Sequence, residues 1–319
     1  MDAEARTRAK TGAARLSILS NSGLIVLKLV AGAVTGSIAI VTEAIHSSID
    51  LLASVVAFFS VSRADRPADE DHLYGHSKLE YLAAAIEGML ILVGAGVIIF
   101  AAARRLAEGA EVDTLEFGIA AVGVSAVVNL GVSTYLYRRA RVLESAALES
   151  DAAHLRADAI TSVAVLIGLV LVETTGMVEL DSVVALVVAT AIVYMGIRIL
   201  LRSSRVLMDE ALPSEELDVV RNVIDERRLS GEVAGFHKLR GRRAGRARHI
   251  DLHVQFPGGT TLEHAHDIAH ELQGEIRRKL DSSADVLVHI EPQRGAGGAR
   301  VGQQGPGDAD AASPGGQDD

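Results

Sequence analysis

Apolar residues in this chain come in long unbroken blocks, not in alternation. Six blocks follow one another, at roughly Leu16 to Val34, Ser37 to Val61, Leu79 to Ala107, Leu115 to Tyr137, Ala147 to Thr174 and Val178 to Leu207. A bilayer whose hydrocarbon core is about 30 Å thick asks for roughly 20 such residues in a crossing helix. The pattern therefore predicts six transmembrane helices. The connections Thr35-Gly36, Glu108 to Thr114 and Thr175 to Met177 hold no Lys or Arg, whereas the alternate loops carry Arg63, Arg66, Lys78, Arg138, Arg139 and Arg141. Positive loops stay on the cytosolic side, so both termini are expected in the cytosol of a cell with this chain in its inner membrane. Arg104 and Arg105, near the outer end of the third block, run against the bias. Met1 to Arg15 is basic, has no apolar signal-like core and reads as a cytosolic flank.

Past Leu207 the period changes. Pro213 to Leu229 opens with Pro-Ser-Glu-Glu, a helix-start signal. Gly235 to Arg240 and Ala247 to Phe256 alternate as strands do, Leu262 to Leu280 is helical, and Asp285 to Ile290 is again a strand. That order predicts a small cytosolic α+β domain, ferredoxin-like or metallochaperone-like in fold class, behind the α-helical membrane part. From Gln293 the chain is Gly, Ala, Pro, Gln and Asp with little to bury, and disorder is expected. The expected division is 1–15 flank, 16–207 membrane domain, 208–292 metal-binding dimerisation domain and 293–319 tail.

Composition narrows the chemistry. The chain is 49% hydrophobic and contains no cysteine, so disulfides, thiolate metal sites and thiol redox chemistry are excluded and soft-metal ligands must come from His and Met. The net charge of −10 sits largely in acidic soluble segments and is offset elsewhere by Arg-rich patches. It implies no basic partner, and nothing points to nucleic acid.

Polar residues at membrane depth are costly and mark pathways. The second block holds His46 and Asp50, and the fifth holds His154 and Asp158. Residues four apart share a helix face, so two such helices side by side would offer two imidazoles and two carboxylates to one point. That is a tetrahedral N and O set suited to zinc, and its charge balances a divalent ion. A lone His or Asp in a membrane helix often just bonds a neighbouring helix, with Ser47, Ser48 and Thr161 as candidate partners here; the same spacing on two helices argues against that account. Glu43 and Asn21 are weaker candidates for the same cavity.

A second group, Asp69, Asp71, His72 and His76, crowds the loop between the second and third helices, where a solvated charged loop is the bland alternative. In the soluble part His237, His249, His253, His264, His266, His270, His289 and Glu291 gather further candidates. Alternation puts His249, Asp251 and His253 on one strand face, and His289 with Glu291 on one face of another. The run His266-Asp267-Ile268-Ala269-His270 is similar to a metalloprotease helix, but Asp stands where that chemistry needs Glu and no third ligand follows at fixed spacing.

Taken together, from about Arg15 to Pro292, the pattern resembles the cation diffusion facilitator family. Pro67 to Glu80 is similar to its hallmark loop, and Ala44 to Asp50 and His154 to Asp158 stand where its membrane ligands do. The resemblance implies a transport site of His46, Asp50, His154 and Asp158 and a loop site of Asp69, His72 and His76. It implies a cytosolic site of His237, His253, His266, His289 and Glu291, where Asp is often found in place of Glu291. It also implies a homodimer joined through the soluble domains, with Lys78 and Asp209 in a charge interlock. His at both first ligand positions looks like the zinc branch, with Cd2+, Co2+ or Fe2+ as further cargo. The expected activity is export of zinc in exchange for protons, with zinc also a regulatory ligand of the soluble domain. A zinc channel and a membrane-tethered zinc sensor are the rival readings.

Overall fold

The computed structural model describes residues 3–35, 38–108, 116–177, 179–245, 247–280 and 284–293. The expected disordered tail lies almost wholly outside them. The chain divides into two compact units, Met1–Met208 and Asp209–Asp319.

Among the described residues, the first unit is built from six long helices: α1 (Ala3–Thr35), α2 (Ile38–Ala64), α3 (Leu79–Glu108), α4 (Glu116–Leu143), α5 (Ala146–Thr175) and α6 (Glu179–Leu207). They pair as α1 with α2, α4 with α5 and α3 with α6, and α5 also meets α2 and α3. Among the described residues, Glu4–Ala31, Leu79–Arg104 and Ser182–Leu207 are long and apolar enough to cross a membrane by composition alone. The first half of α5 is interrupted by Asp151, His154, Arg156 and Asp158. Large apolar side chains such as Leu19, Val26, Val93, Phe100, Val127 and Tyr194 point outward. In water such a surface would drive association; against lipid it is the expected exterior. The interior instead holds small residues, among them Ala57, Ala83, Ala140, Ala147 and Ala152. Small residues let membrane helices approach closely where no hydrophobic effect separates protein from lipid. At the α3–α6 crossing, a Cβ added to Gly88 would lie 3.2 Å from the Leu200 amide nitrogen and 3.3 Å from the Gly196 carbonyl oxygen.

The first helix departs from the sequence expectation. It begins at Ala3, so the basic flank is continuous with the first span. Two of the cations of that flank are held inside: Lys10, 1% exposed, places Nζ 3.0 Å from Asp65 Oδ1 and 2.5 Å from Glu80 Oε1. Arg6 Nη2 reaches Asp65 Oδ1 at 3.2 Å, and Thr7 donates to Asp65 Oδ2 at 3.1 Å. A charge removed from water persists only when it is matched in this way. The group ties the start of α1 to the end of α2 and the start of α3.

The second unit runs α7 (Ser214–Leu229), β1 (Gly235–Ala244), β2 (Ala247–Phe256), α8 (Leu262–Lys279) and β3 (Ala284–Pro292). The sheet order is β1-β2-β3, with β1 antiparallel and β3 parallel to β2. Both helices cover one face: Val220, Ile224, Ile268, Leu272 and Ile276 pack on Ile250, Leu252, Val254 and Val286. Among the described residues, the other face, carrying the alternate residues, has no helix on it. α8 starts where the Thr261 hydroxyl accepts the His264 amide at 3.2 Å and ends on Arg277, Arg278 and Lys279, which suits its dipole. β1 runs four residues past the expected Arg240. The extension is held by side chains as well as by the ladder, since Arg242 pairs with Asp209 at 3.1 Å and Arg243 pairs with Glu216. Arg248 Nε completes the grip on Glu216 at 2.8 Å from Oε2. Partial burial raises the Glu216 carboxyl pKa, but the Arg248 and Arg243 guanidinium groups outweigh it and hold the net value below the usual range.

Two outcomes are expected. Gly88→Ala forces backbone apart at the α3–α6 crossing and costs about 1–3 kcal/mol. Gly94→Ala, which meets nothing within 4 Å, is neutral or better. Thermal melts of the detergent-solubilised protein followed by circular dichroism read both. Glu216→Gln lowers the melting point of the soluble unit at pH 7. Because the folded carboxyl titrates below its unfolded value of about 4.3, the wild-type advantage is complete above that pH and is lost as pH falls through the folded value. Melts of the two proteins should therefore converge on strong acidification.

Candidate metal centres

Among the described residues, three groups of ligand-type side chains have their ligand atoms within 4.8 Å of one another: Asp50, His154 and Asp158; Asp69, His72 and His76; His237, His253 and Glu291. Each is positioned by a different kind of element.

The first lies between α2 and α5, packed side by side. His154 is buried, and its Nε2 stands 3.2 Å from Asp50 Oδ1 and 3.8 Å from Asp158 Oδ2. The i, i+4 spacing aims Asp158 at the same point as His154, and Asp50 meets them from α2. The His154 and Asp50 side chains are 7% and 13% exposed, and Asp158, at 26%, is the more open member of the group. One imidazole nitrogen thus faces both carboxylates, an arrangement in which a proton on that nitrogen and a metal ion compete for one lone pair. His46 is one turn before Asp50 on α2, and its side chain lies outside the described residues, as does that of Glu43. Asn21 does not join the group: its Nδ2 donates to Ser54 Oγ at 2.9 Å. Ser47 accepts from the buried Lys28 Nζ at 2.7 Å.

The second group is a turn in the α2–α3 loop. Asp69 Oδ1 accepts the His72 amide at 2.7 Å, His72 Nδ1 is 3.3 Å from Asp69 Oδ1, and His76 Nε2 is 3.2 Å from Oδ2. The hydrogen bond from the His72 backbone, assisted by the charges of His76 and His72, lowers the Asp69 carboxyl pKa. Gly75, with φ of +79°, provides the left-handed residue that returns His76 toward Asp69. Asp71 is exposed and is not in the group.

The third group uses strand register. His237 is opposite His253 and His253 is opposite His289, so three imidazoles stand in a row across the helix-free face of the sheet. Ring centroids are 5.1 Å apart for His237 and His253 and 4.5 Å for His253 and His289. Glu291, two residues beyond His289 on the same face, returns to the row: Oε1 is 2.6 Å from His253 Nδ1 and 3.6 Å from His289 Nε2, and Oε2 is 3.1 Å from His237 Nε2. Partial burial raises the Glu291 carboxyl pKa, but the His253 hydrogen bond and the neighbouring imidazoles outweigh it and hold the value low. The β1 bulge between His237 and Arg240, with Lys238 at φ +52°, sets His237 against His253. His289 remains 61% exposed. His266 is elsewhere, on α8, which covers the opposite sheet face; its ring meets His270 with centroids 4.4 Å apart. His249 Nδ1 is 3.5 Å from Asp285 Oδ2. Lys78 Nζ donates to the Leu207 carbonyl at 3.3 Å, and Asp209 pairs with Arg242.

The residues that sequence reasoning passed over are Glu87 and Asp151, both fully buried in the bundle. The signal for Glu87 was present, a lone acid inside an otherwise apolar run from Leu82 to Ala103.

A polytopic helical bundle with a His–carboxylate cluster between its helices, followed by a small histidine-bearing α+β domain, defines a membrane metal-cation carrier. Residues 14–208 match the cation efflux transmembrane domain, and residues 212–293 match the cation efflux protein cytoplasmic domain. An uncharacterized transporter of Synechocystis is 35% identical over 83% of this chain and 85% of its own. The cation-efflux pump FieF of Yersinia pestis is 31% identical over 84% of this chain and 88% of its own. Metal tolerance protein C1 of Arabidopsis thaliana is 32% identical over 87% of this chain and 61% of its own. The chain belongs to the cation diffusion facilitator family. Its members are membrane transporters, not enzymes, and metal cation efflux is their activity.

Proposed function

We propose that this chain exports zinc from the cytosol in exchange for protons, with Asp50, His154, Asp158 and His46 as the transport site. The observation that supports this reading is the position of His154 Nε2, 3.2 Å and 3.8 Å from two carboxylates. With cargo absent, a proton on that nitrogen bridges the acids. A divalent ion replaces it, because ligation needs the unprotonated nitrogen. Two carboxylates and neutral imidazoles then balance the charge of Zn2+. Imidazole and carboxylate together favour zinc over harder ions, with Cd2+, Co2+ and Fe2+ as further cargo. In this reading the termini face the cytosol, the ion enters from that side of the inner membrane, the helices rock, and protons rebind as the metal leaves.

The loop and sheet clusters are proposed as further zinc sites on the cytosolic side. The sheet's helix-free face is the surface on which a second copy would dock to form a homodimer. Lys78 and Asp209 are assigned the charge interlock of that dimer. Zinc bound there biases the conformation of the membrane part and gives feedback from cytosolic zinc. A channel would need several weak sites along a polar path, whereas the bundle concentrates its ligands at one point. A sensor would have no use for that point.

Zinc and pH dyes trapped in proteoliposomes test the exchange. Wild type should move zinc one way and protons the other. Asp50→Ala and Asp158→Ala should each lose more than the roughly 10–100-fold typical of removing an outer-shell partner. Zinc movement without proton counter-flow would refute the coupling. Changing His253 and His289 together to Ala should leave transport intact and shift the half-saturating cytosolic zinc by roughly 5-fold or more, the usual scale of a coupling free energy. An unshifted curve would remove the feedback role.

A further inference from the structure

Glu87 on α3 is 0% exposed; neither of its carboxylate oxygens meets hydrogen-bond geometry with a partner, and the Ser150 hydroxyl is the polar group beside it. Asp151 on α5 is likewise 0% exposed. Its Oδ1 accepts from Ser17 at 3.1 Å and Ser54 at 3.0 Å, while Oδ2 has no partner. Glu87 is within electrostatic range of both Asp151 and His154. Beside it, α6 offers Gly196, Ile199 and Leu200 against Gly88, and α5 offers Ser150, whose hydroxyl is directed to the Ala84 carbonyl at 3.4 Å. The cation-forming side chain that acts on Glu87 is His154.

The position of these acids is as informative as their burial. Asp151 is one helical turn before His154, and Ser54 one turn after Asp50, so both lie toward the end of the bundle where α1 begins and α2 ends. On α3, Glu80 and Glu87 are seven residues apart, as are Lys10 and Ser17 on α1. That spacing keeps each pair on nearly one face with about 10 Å of rise between them. The Glu87–Asp151 layer therefore stands between the proposed transport site and the Lys10–Glu80 pair, and the Ser17, Ser54 and Asn21 side chains link it laterally.

Two neighbouring carboxylates out of water, with the His154 imidazole beside them already shared with Asp50 and Asp158, are too costly to keep both ionised. A metal ion is a poor occupant, since Oδ1 of Asp151 is already engaged by two hydroxyls. We propose that Glu87 and Asp151 form a proton-carrying station of the exchange, separate from the metal ligands. When a divalent ion sits on Asp50, His154 and Asp158, its charge favours the ionised pair. The carboxyl O–H bond of the station breaks, the electron pair stays on oxygen, and the proton leaves to water at the Lys10–Glu80 end, which is cytosolic in the proposed orientation. When the metal departs, a proton from water re-forms that bond.

This inference rests on the zinc–proton exchange proposed above, and the two can fail separately. Zinc is titrated into the full-length protein in detergent with a pH indicator in weak buffer, and the protons released per protomer are counted. The loop and sheet sites contribute equally to every variant and cancel. Glu87→Gln, which keeps the side-chain shape, should release fewer protons than wild type at unchanged zinc stoichiometry. Asp151→Asn should do the same, and Glu87→Asp should restore the release. In proteoliposomes the proton-to-zinc ratio of Glu87→Gln should fall in parallel. Equal proton release by wild type and whichever neutral variant remains folded would overturn the station. Loss of bound zinc in place of protons would overturn it too, by making the pair a metal site. Absence of proton counter-flow in wild-type vesicles would instead bring down the exchange.

Discussion

Everything in the membrane unit is arranged around the cost of keeping a charge away from water. Lys10 shows the rule in its satisfied form, a buried ammonium between Asp65 and Glu80 that joins three helices at one end of the bundle. His154 shows it in a form that leaves work to be done. Its Nε2 is matched by two carboxylates, one from its own helix and one from α2. The backbone is fully occupied with helical hydrogen bonding, as lipid requires, so all of this chemistry falls to side chains on packed helices. The small alanine-rich interior is what allows those helices to come near enough.

The soluble unit solves the ligand problem by other means. A three-stranded sheet with both helices on one face leaves the other free, and in-register pairing turns three residues distant in sequence into a row. Glu291 draws that row together and keeps its charge through contact with the imidazoles. In the loop site a left-handed glycine and one backbone amide do the same for three residues within a single turn. Helix period, strand register and turn conformation thus each produce a compact set of nitrogen and oxygen donors in a chain without cysteine.

Much of this architecture was readable from residue order. Blocks of apolar residues give helices because a bilayer leaves no alternative, and the HxxxD spacing placed His154 and Asp158 toward one point that Asp50 also reaches. The start of α1 was not readable, because Arg6, Thr7 and Lys10 look like a solvated flank until Asp65 and Glu80, far along the chain, come to meet them. The end of β1 was missed for a related reason: Gly241, Arg242 and Arg243 have no apolar alternation, and their order comes from acids on other elements. Asp151 resembles one more polar residue at a helix start. Its burial depends on α1 and α2 closing over it with Ser17 and Ser54.

The in-register histidine row also makes the soluble domain a reporter of its own assembly. Side chains alternate along a strand, so a slip of one residue in the β2–β3 pairing would turn His289 and Glu291 inward and take Val286 and Val288 out of the core. Only the correct alignment presents all the donors on one side. A metal ion captured there would act as a lock on strand alignment, rewarding the one pairing in which the hydrophobic face and the polar face are both complete.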